Sequence, residues 1–268
     1  MNLTILKDVP YGSHERHLAD IYIPEEPASK SGLILFIHGG GWTSGSKEAH
    51  SSDAEYFAKL GYISATMNYR YASESIHIDH ELDDVSAVLE AIKKKCAEYG
   101  FDINKLILSG GSAGAHLALI YAYTKRNEAP VTPVAVCAYC PPADCAREDF
   151  LMGIKGEFES WKFGILSMIC NAEISKATLN NEASQKALGK ISPINYVDEN
   201  CVPTAIFYGK VDDLIPVGHI EVFDRKLTEA GVRHDLVLYP NSGHALDKDP
   251  ESSEKARCVM KEYATLYL

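Results

Sequence analysis

The stretch that decides the fold is residues 105–121, with the sequence KLILSGGSAGAHLALIY. Residues 105–109 predict a short buried strand, and the apolar run from Ala115 predicts a buried helix. Ser112 lies between them in the pattern Gly-x-Ser-x-Gly, which is typical of a serine on a tight strand-to-helix turn. The small neighbours let strand and helix pass closely, and N–H groups at the helix N-terminus can face an oxyanion. A loop whose glycines serve only packing is the alternative, because short motifs produce false positives.

Further apolar runs on both sides of this stretch predict the other strands of a sheet. These runs are residues 8–11, 17–23, 33–37, 62–67, 134–139, 203–208 and 234–239. Segments that suit helices lie between them, at residues 49–60, 82–99, 217–230 and 252–268. Because strand and helix alternate along most of the chain, we expect an α/β fold with a mostly parallel, eight-stranded sheet flanked by helices.

The alternation breaks between residues 143 and 197, where apolar and aromatic side chains occur without a strand pattern. Phe150, Trp161 and Phe163 are examples. We interpret residues 143–197 as a small helical lid inserted over the carboxyl edge of the sheet, within one domain that spans residues 1–268. An ordinary crossover helix with a long loop is the alternative interpretation.

Composition and charge are those of a soluble globular chain and exclude some partners. Of the 268 residues, 46% are hydrophobic and 24% are charged, and the formal net charge is -11. Nucleic-acid binding needs a basic face, so this charge argues against it. The first residues lack a basic segment followed by an apolar core, and no apolar run approaches the ~20 residues that span a bilayer. We therefore expect no signal peptide, no membrane span and a cytoplasmic location.

The cysteines and the paired histidines do not favour a metal site. The seven cysteines are scattered and odd in number, which is typical of reduced thiols. Cys137 and Cys140 form a Cys-x-x-Cys pair, but the pair lies in a predicted buried strand rather than at a helix start, which weighs against redox or zinc chemistry. His77 and His80 lie on a polar loop, and such a pair is usually solvated. We expect no bound metal.

A nucleophilic Ser112 would need a base and an acid that orients the base, and both candidates follow predicted strands. His244 comes after the last strand and is the best base. Asp212 and Asp213 follow the preceding strand. The pattern Gly-x-x-Asp-x-x-Ile-Pro at residues 209–216 favours Asp212, and Asp213 is more typical of a turn or helix cap. The order serine, aspartate, histidine is the one used by serine hydrolases on a nucleophile elbow.

A glycine-rich loop, residues 38–42, follows an early buried strand and can supply oxyanion donors. We predict that the N–H groups of Gly40, Gly41 and Ala113 hold the oxyanion, because glycine leaves its N–H unshielded. We expect His38 to brace the loop and His116 to pack inside the helix. A phosphate cradle is disfavoured, because the chain has neither Gly-Lys-Ser/Thr nor a Gly-x-Gly-x-x-Gly that opens a helix.

Taken together, these motifs resemble the α/β-hydrolase superfamily and, within it, the hormone-sensitive-lipase-like carboxylesterases. The closest likeness is to small bacterial feruloyl-esterase-like and acetyl-esterase-like members. The matching segments are residues 20–24, 38–42, 110–114, 192–197, 209–216 and 243–244. Position 115 is Ala where many members have a third glycine, a departure that concerns packing more than chemistry.

The resemblance implies a cofactor-free serine hydrolase of small carboxylic esters, with Ser112, Asp212 and His244 as the triad. Short-chain acyl esters, including acetylated or feruloylated sugars, are the expected substrates. Trp42 and Tyr69 lie on loops at the active edge, where they line the substrate pocket or serve packing. An amidase, formamidase or peptidase of the same fold, an acyltransferase and an inactive binding module are the alternatives. The oligomeric state stays open, with a homodimer as one option.

Overall fold

An eight-stranded sheet forms the centre of the molecule. The computed structural model describes residues 2–29, 31–152 and 157–268. The strands are β1 (Leu3–Pro10), β2 (Leu18–Pro24), β3 (Gly32–Ile37), β4 (Ile63–Met67), β5 (Lys105–Gly111), β6 (Thr132–Tyr139), β7 (Thr204–Gly209) and β8 (His234–Tyr239). Their order across the sheet is β1-β2-β4-β3-β5-β6-β7-β8. β1 and β2 pair antiparallel, as do β2 and β4, and the other pairs are parallel. The predicted mostly parallel, eight-stranded sheet is confirmed.

Helices cover both faces of this sheet. They are α1 (Ser51–Lys59), α2 (Ile78–Ala97), α3 (Ala113–Thr124), α4 (Glu148–Met152), α5 (Glu157–Cys170), α6 (Glu182–Lys190), α7 (Gly218–Glu229) and α8 (Pro250–Tyr267). The apolar side chains of α1 and α8 pack on one face, and those of α2, α3 and α7 pack on the other. Along β3, Leu33 and Leu35 point to one face and Ile34 and Phe36 to the other, which explains its unbroken apolar run. Among the described helices, none is both long and apolar enough to cross a membrane.

The turn between β5 and α3 is possible only with small residues. A Cβ on Gly110 of β5 would lie 2.7 Å from the carbonyl carbon of Gly114 in α3, which is far inside van der Waals contact. The strand and the helix therefore approach as closely as the Gly-x-Ser-x-Gly pattern indicated. Ser112 has φ 52° and ψ -119°, a conformation that non-glycine residues rarely adopt and that costs about 1–3 kcal/mol.

The stretch from 143 to 197 is helical where the structure describes it. It contains α4, α5, α6 and a short 3-10 helix, Pro193–Tyr196. Part of the predicted lid, residues 153–156, lies outside the described residues. Side chains of α5 cover the edge at which β5 ends, since Trp161 and Ile165 approach Gly41 in the glycine-rich loop.

Two elements begin more than two residues from the start expected from the sequence. β1 begins at Leu3 rather than residue 8, because it is an edge strand whose half-exposed side chains carry little apolar pattern. α2 begins at Ile78 rather than residue 82. At its start, the His77 N–H donates to His80 Nδ1 at 3.0 Å, and the His80 N–H donates to the His77 carbonyl oxygen at 3.0 Å.

Candidate active site

Ser112 is held at the carboxyl end of β5 by backbone hydrogen bonds on both sides. Its N–H donates to the Tyr139 carbonyl oxygen at 2.8 Å, and its carbonyl oxygen accepts from the His116 N–H at 2.9 Å. These contacts tie the turn to β6 and to the first turn of α3. The side chain is thereby fixed at the edge of the sheet, where it lines two cavities.

Asp212 and His244, which follow β7 and β8, form a hydrogen-bonded pair in which Asp212 is buried and His244 is partly exposed. The Nδ1–H of His244 donates to Asp212 Oδ2 at 2.7 Å, and the Asp212 side chain is fully buried. Asp212 Oδ1 accepts from the N–H groups of Leu214 and Ile215 at 3.0 and 2.9 Å. Asp213 is exposed to solvent. The carboxylate that contacts the histidine is thus Asp212, which the sequence pattern favoured.

Ser112 and His244 line the same cavity, which has a volume of about 420 Å³ and is called the wide cavity below. With Nδ1 bonded to Asp212, the Nε2 of His244 is the atom left to accept a proton. Among the hydrogen bonds of the described residues there is none between Ser112 and His244, a contact that often closes only in the substrate complex. The arrangement can therefore activate the Ser112 hydroxyl once His244 Nε2 comes within hydrogen-bond distance of it.

Cys140 lies against this pair at the end of β6. Its Sγ and the nearest donor atoms of Asp212 and His244 lie within 4.8 Å of one another, the one such cluster in the described part of the chain. Burial raises the pKa of the Cys140 thiol to about 12, so the sulfur stays protonated at neutral pH. Asp212 already uses one oxygen for His244 and the other for backbone N–H groups. This donor set suits a neutral thiol beside a histidine–carboxylate pair better than a metal site.

The glycine-rich loop lies directly against the turn that carries Ser112. A Cβ on Gly39 would lie 2.8 Å from the Gly111 carbonyl oxygen and 3.4 Å from Ser112 Cβ. Gly40 and Gly41 have φ values of 112° and 57°, a backbone shape that favours glycine. Ala113 is the first residue of α3, so its N–H has no acceptor within the helix. The predicted oxyanion donors thus belong to adjoining segments, and their role stays a prediction.

His38 braces the loop, as expected. Its Nδ1–H donates to the Gly39 carbonyl oxygen at 2.7 Å, and Arg16 donates to its Nε2 at 3.2 Å. Burial lowers the pKa of His38 to about 4, so the ring is neutral. Its ring stacks on that of Tyr69, with centroids 4.3 Å apart.

The two predicted pocket residues differ in position. Trp42 lines a cavity with Ser112, and its Nε1–H donates to His116 Nδ1 at 3.3 Å. Tyr69 is fully buried beneath the loop, and its hydroxyl donates to the His38 carbonyl oxygen at 3.1 Å. Tyr69 is not among the described residues that line the two cavities at Ser112. A substrate-binding role for Tyr69 is therefore replaced by a packing role.

The order of these motifs along the chain matches a known family. The model of the BD-FAE family matches residues 19–227. The chain belongs to the BD-FAE family. The match begins in β2 and ends in α7, so it includes the glycine-rich loop, Ser112 and Asp212.

This BD-FAE member is similar to esterases of known name. It is 26% identical over 255 residues to the probable carboxylic ester hydrolase LipM of Mycobacterium tuberculosis, covering 90% of this chain and 56% of that protein. It is 28% identical over 265 residues to the probable isoprenylcysteine alpha-carbonyl methylesterase ICME of Oryza sativa, covering 90% and 58%. The chain thus spans little more than half the length of these curated relatives.

The fold of the BD-FAE member is also that of solved esterases. A crystal structure of esterase B from Lactobacillus rhamnosis matches with a TM-score of 0.78 at 18% identity, over 98% of this chain and 86% of that chain. These findings confirm the predicted α/β-hydrolase fold and the resemblance to hormone-sensitive-lipase-like esterases.

The second cavity at Ser112, called the narrow cavity below, is mostly apolar. Its volume is about 50 Å³. It is lined by Gly41, Trp42, Ser112, Pro142, Phe150, Trp161, Lys162, Ile165, Leu166, Leu214 and Ile215. The Lys162 amine is buried in this wall, where it donates to the carbonyl oxygens of Phe150 and Leu214. Burial lowers the pKa of Lys162 to about 8.

The wide cavity contains a histidine that the sequence reasoning missed. His50 ends a short 3-10 helix, Lys47–His50, and its Nδ1–H donates to Asp53 Oδ2 at 2.9 Å. A Cβ on Gly111 would lie 3.9 Å from His50 Nε2, so the ring lies beside the turn that carries Ser112. The signal available in the sequence was a His-x-x-Asp spacing at a helix start, shortly after the glycine-rich loop of this BD-FAE chain.

Proposed function

We propose that this BD-FAE member is a serine carboxylesterase that hydrolyses small esters through an acyl-enzyme. The observation that carries the proposal is that His244, bonded to the buried Asp212 carboxylate at 2.7 Å, lines one cavity with Ser112, whose backbone is strained. The similarity to LipM and ICME, a carboxylic ester hydrolase and a methylesterase by name, supports the same reaction class. The substrate is a small-molecule ester, and the reaction needs no cofactor.

The proposed mechanism has two symmetrical halves. His244 Nε2 takes the proton of Ser112 as its oxygen attacks the ester carbonyl, and the N–H groups of Gly40, Gly41 and Ala113 stabilise the oxyanion. Asp212 stabilises the imidazolium. His244 then gives its proton to the leaving alcohol oxygen as the carbon–oxygen bond breaks. Water repeats these steps on the acyl-enzyme, releasing the acid and restoring Ser112.

We infer that the narrow cavity takes the acyl group. Its volume of about 50 Å³ suits acetyl and other short acyl groups, whereas a feruloyl group requires it to widen. α5 supplies Trp161, Lys162 and Ile165 to its wall, which supports residues 143–197 as the lid that limits acyl length. Trp42, which lines the same cavity, is the proposed substrate-binding residue.

Replacement of the nucleophile tests the proposal directly. In Ser112→Ala, we expect hydrolysis of p-nitrophenyl acetate to fall by about 10⁵-fold or more, because loss of a triad serine alone removes nearly all triad catalysis. Labelling by a fluorophosphonate probe should disappear as well. Ser52→Ala removes an exposed serine on α1 and serves as the matched control. Wild-type labelling of a folded Ser112→Ala protein would refute the proposal.

A further inference from the structure

The two cavities at Ser112 differ in their relation to His244. The wide cavity is lined by both Ser112 and His244, whereas His244 is not among the described residues that line the narrow one. In the proposed esterase reaction, His244 must hand its proton to the leaving oxygen. The leaving alcohol therefore lies on the His244 side, in the cavity of about 420 Å³.

The wall of the wide cavity, which His244 also lines, includes several polar and aromatic side chains. His50, Asp53, Tyr139 and Tyr239 all line it, and Arg257 lines it too, with its guanidinium 5.1 Å from the centroid of the Tyr56 ring. Hydrogen-bonding groups between aromatic rings suit an alcohol that carries additional hydroxyl groups. A purely aliphatic alcohol would leave these groups without partners, which costs free energy once they are shielded from water.

His50 is oriented on this wall from two directions. Asp53 Oδ2 accepts its Nδ1–H at 2.9 Å, and its ring stacks on Phe36 with centroids 5.8 Å apart. In the tautomer that carries its proton on Nδ1, the Nε2 atom of His50 is a hydrogen-bond acceptor. That atom faces the Gly111–Ser112 turn and the cavity.

The backbone that carries His50 is anchored to the sheet. The Lys47 amine, buried in the same 3-10 helix, pairs with Asp20 at 2.8 Å, Asp8 at 2.9 Å and Glu48 at 2.7 Å. The Lys47 N–H donates to Asn68 Oδ1 at 2.7 Å. His50 thus has a fixed position relative to Ser112, as a residue that recognises part of a substrate requires.

We propose that His50 Nε2 accepts a hydrogen bond from a hydroxyl group on the leaving alcohol, with Asp53 as the positioning residue. This inference rests on the proposed esterase function. It assigns the chain a preference for esters of hydroxylated alcohols over esters of plain alkanols with the same acyl group. The assignment concerns the alcohol, and the acyl group stays in the narrow cavity.

The test compares glycerol monoacetate with propyl acetate, which share the acyl group and differ in the hydroxyls of the alcohol. The measured quantity is the ratio of their kcat/KM values. In His50→Leu we expect this ratio to fall by about tenfold, the loss expected when one hydrogen bond to the departing group is not made. His50→Gln, which keeps an acceptor, should restore part of the ratio. Asp53→Asn should lower it by a smaller factor. His14→Leu, at an exposed histidine, is the matched control.

The outcomes separate this inference from the proposed function. Wild-type protein that hydrolyses neither acetate refutes the esterase proposal itself. Wild-type protein that hydrolyses both, with the same ratio in a folded His50→Leu variant, overturns only the role of His50. A series of methyl esters from acetate to hexanoate checks the cavity assignment. If His50→Leu changes the preference among these acyl groups instead of the alcohol ratio, the wide cavity takes the acyl group and the inference is wrong.

Discussion

Two buried lysines, one on each side of Ser112, have opposite environments. Lys47 and Lys162 are each only 4% exposed to solvent. Lys47 pairs with Asp20, Asp8 and Glu48. Burial lowers the pKa of Lys47, but these hydrogen bonds raise it by more, so that the pKa lies well above its usual range. Lys162 contacts carbonyl oxygens and the Phe150 ring, and among the side chains that the structure describes none forms an ion pair with it.

The difference teaches that the two cavities are built in different ways. The wide cavity, the more polar of the two, is walled by the sheet, α1 and α8, and the 3-10 helix that carries His50 is held in place by the ion pairs of Lys47. The narrow, apolar cavity is closed by α5, whose buried cation carries a desolvation penalty that nearby carboxylates do not offset. We therefore expect mutations in the narrow cavity and in the wide cavity to change the acyl preference and the alcohol preference separately. Mutation of the proposed catalytic residues should instead affect every substrate.

Asp212→Asn should have the largest effect and should be the same on both sides. Loss of the carboxylate deprives His244 of its correct tautomer, so kcat is expected to fall by about 10⁴-fold for every ester tested. Asp213→Asn changes the neighbouring, exposed carboxylate and is the matched control. Steady-state kinetics on acetate and butyrate esters of several alcohols measure the effect. Equal losses in the two variants would contradict the role of Asp212. A loss confined to one acyl or alcohol group would contradict its equal effect on both cavities.

Ile165→Val should alter the acyl side alone. Ile165 lines the narrow cavity, and its Cδ1 lies 3.5 Å from the position of a Cβ on Gly41. Removing one methylene makes room for a longer acyl chain, so the butyrate-to-acetate ratio of kcat/KM should rise by about tenfold. The ratio between glycerol monoacetate and propyl acetate should stay the same.

Ile169→Val provides the control for this change, because Ile169 lies in the same helix, is fully buried and is not among the residues lining the narrow cavity. It should destabilise the fold by about 1 kcal/mol, as such substitutions do, without changing either ratio. A rise in the butyrate ratio with Ile169→Val would show that loosened packing of α5, rather than cavity width, sets acyl length.

The sequence predicts the groups that stand at strand ends and misses those placed by long-range contacts. Ser112, Asp212 and His244 follow β5, β7 and β8, and the carboxyl ends of parallel strands converge at one edge, so their proximity follows from chain order. His50 belongs to no such pattern. Its position depends on Lys47 reaching Asp8 and Asp20 in two earlier strands, and these partners cannot be paired from local sequence.

Tyr69 is a residue for which the sequence left a pocket role and a packing role open. It follows β4 at the active edge, so its sequence position suggested a pocket residue. The chain after β4 instead turns beneath the glycine-rich loop, where the ring packs against His38. Direction of a loop side chain is set by tertiary packing, which neither periodicity nor motif order encodes.

Lys162→Met should have the smallest effect and tests the contrast between the two lysines. Burial lowers the pKa of Lys162 from 10.5 to about 8, so between these pH values the unfolded chain binds more protons than the folded one. The stability of the wild type should therefore gain a contribution as pH rises through this window, by at most about 1.4 kcal/mol per pH unit. Lys162→Met lacks this contribution and should be the more stable protein at pH 7.5, with the difference shrinking toward pH 10.5. Urea unfolding at several pH values measures it, with Lys59→Met, at an exposed lysine of α1, as the control. A Lys162→Met protein less stable than the wild type at pH 7.5 would mean that the carbonyl contacts outweigh the desolvation penalty, and that the two buried lysines stabilise their cavities alike.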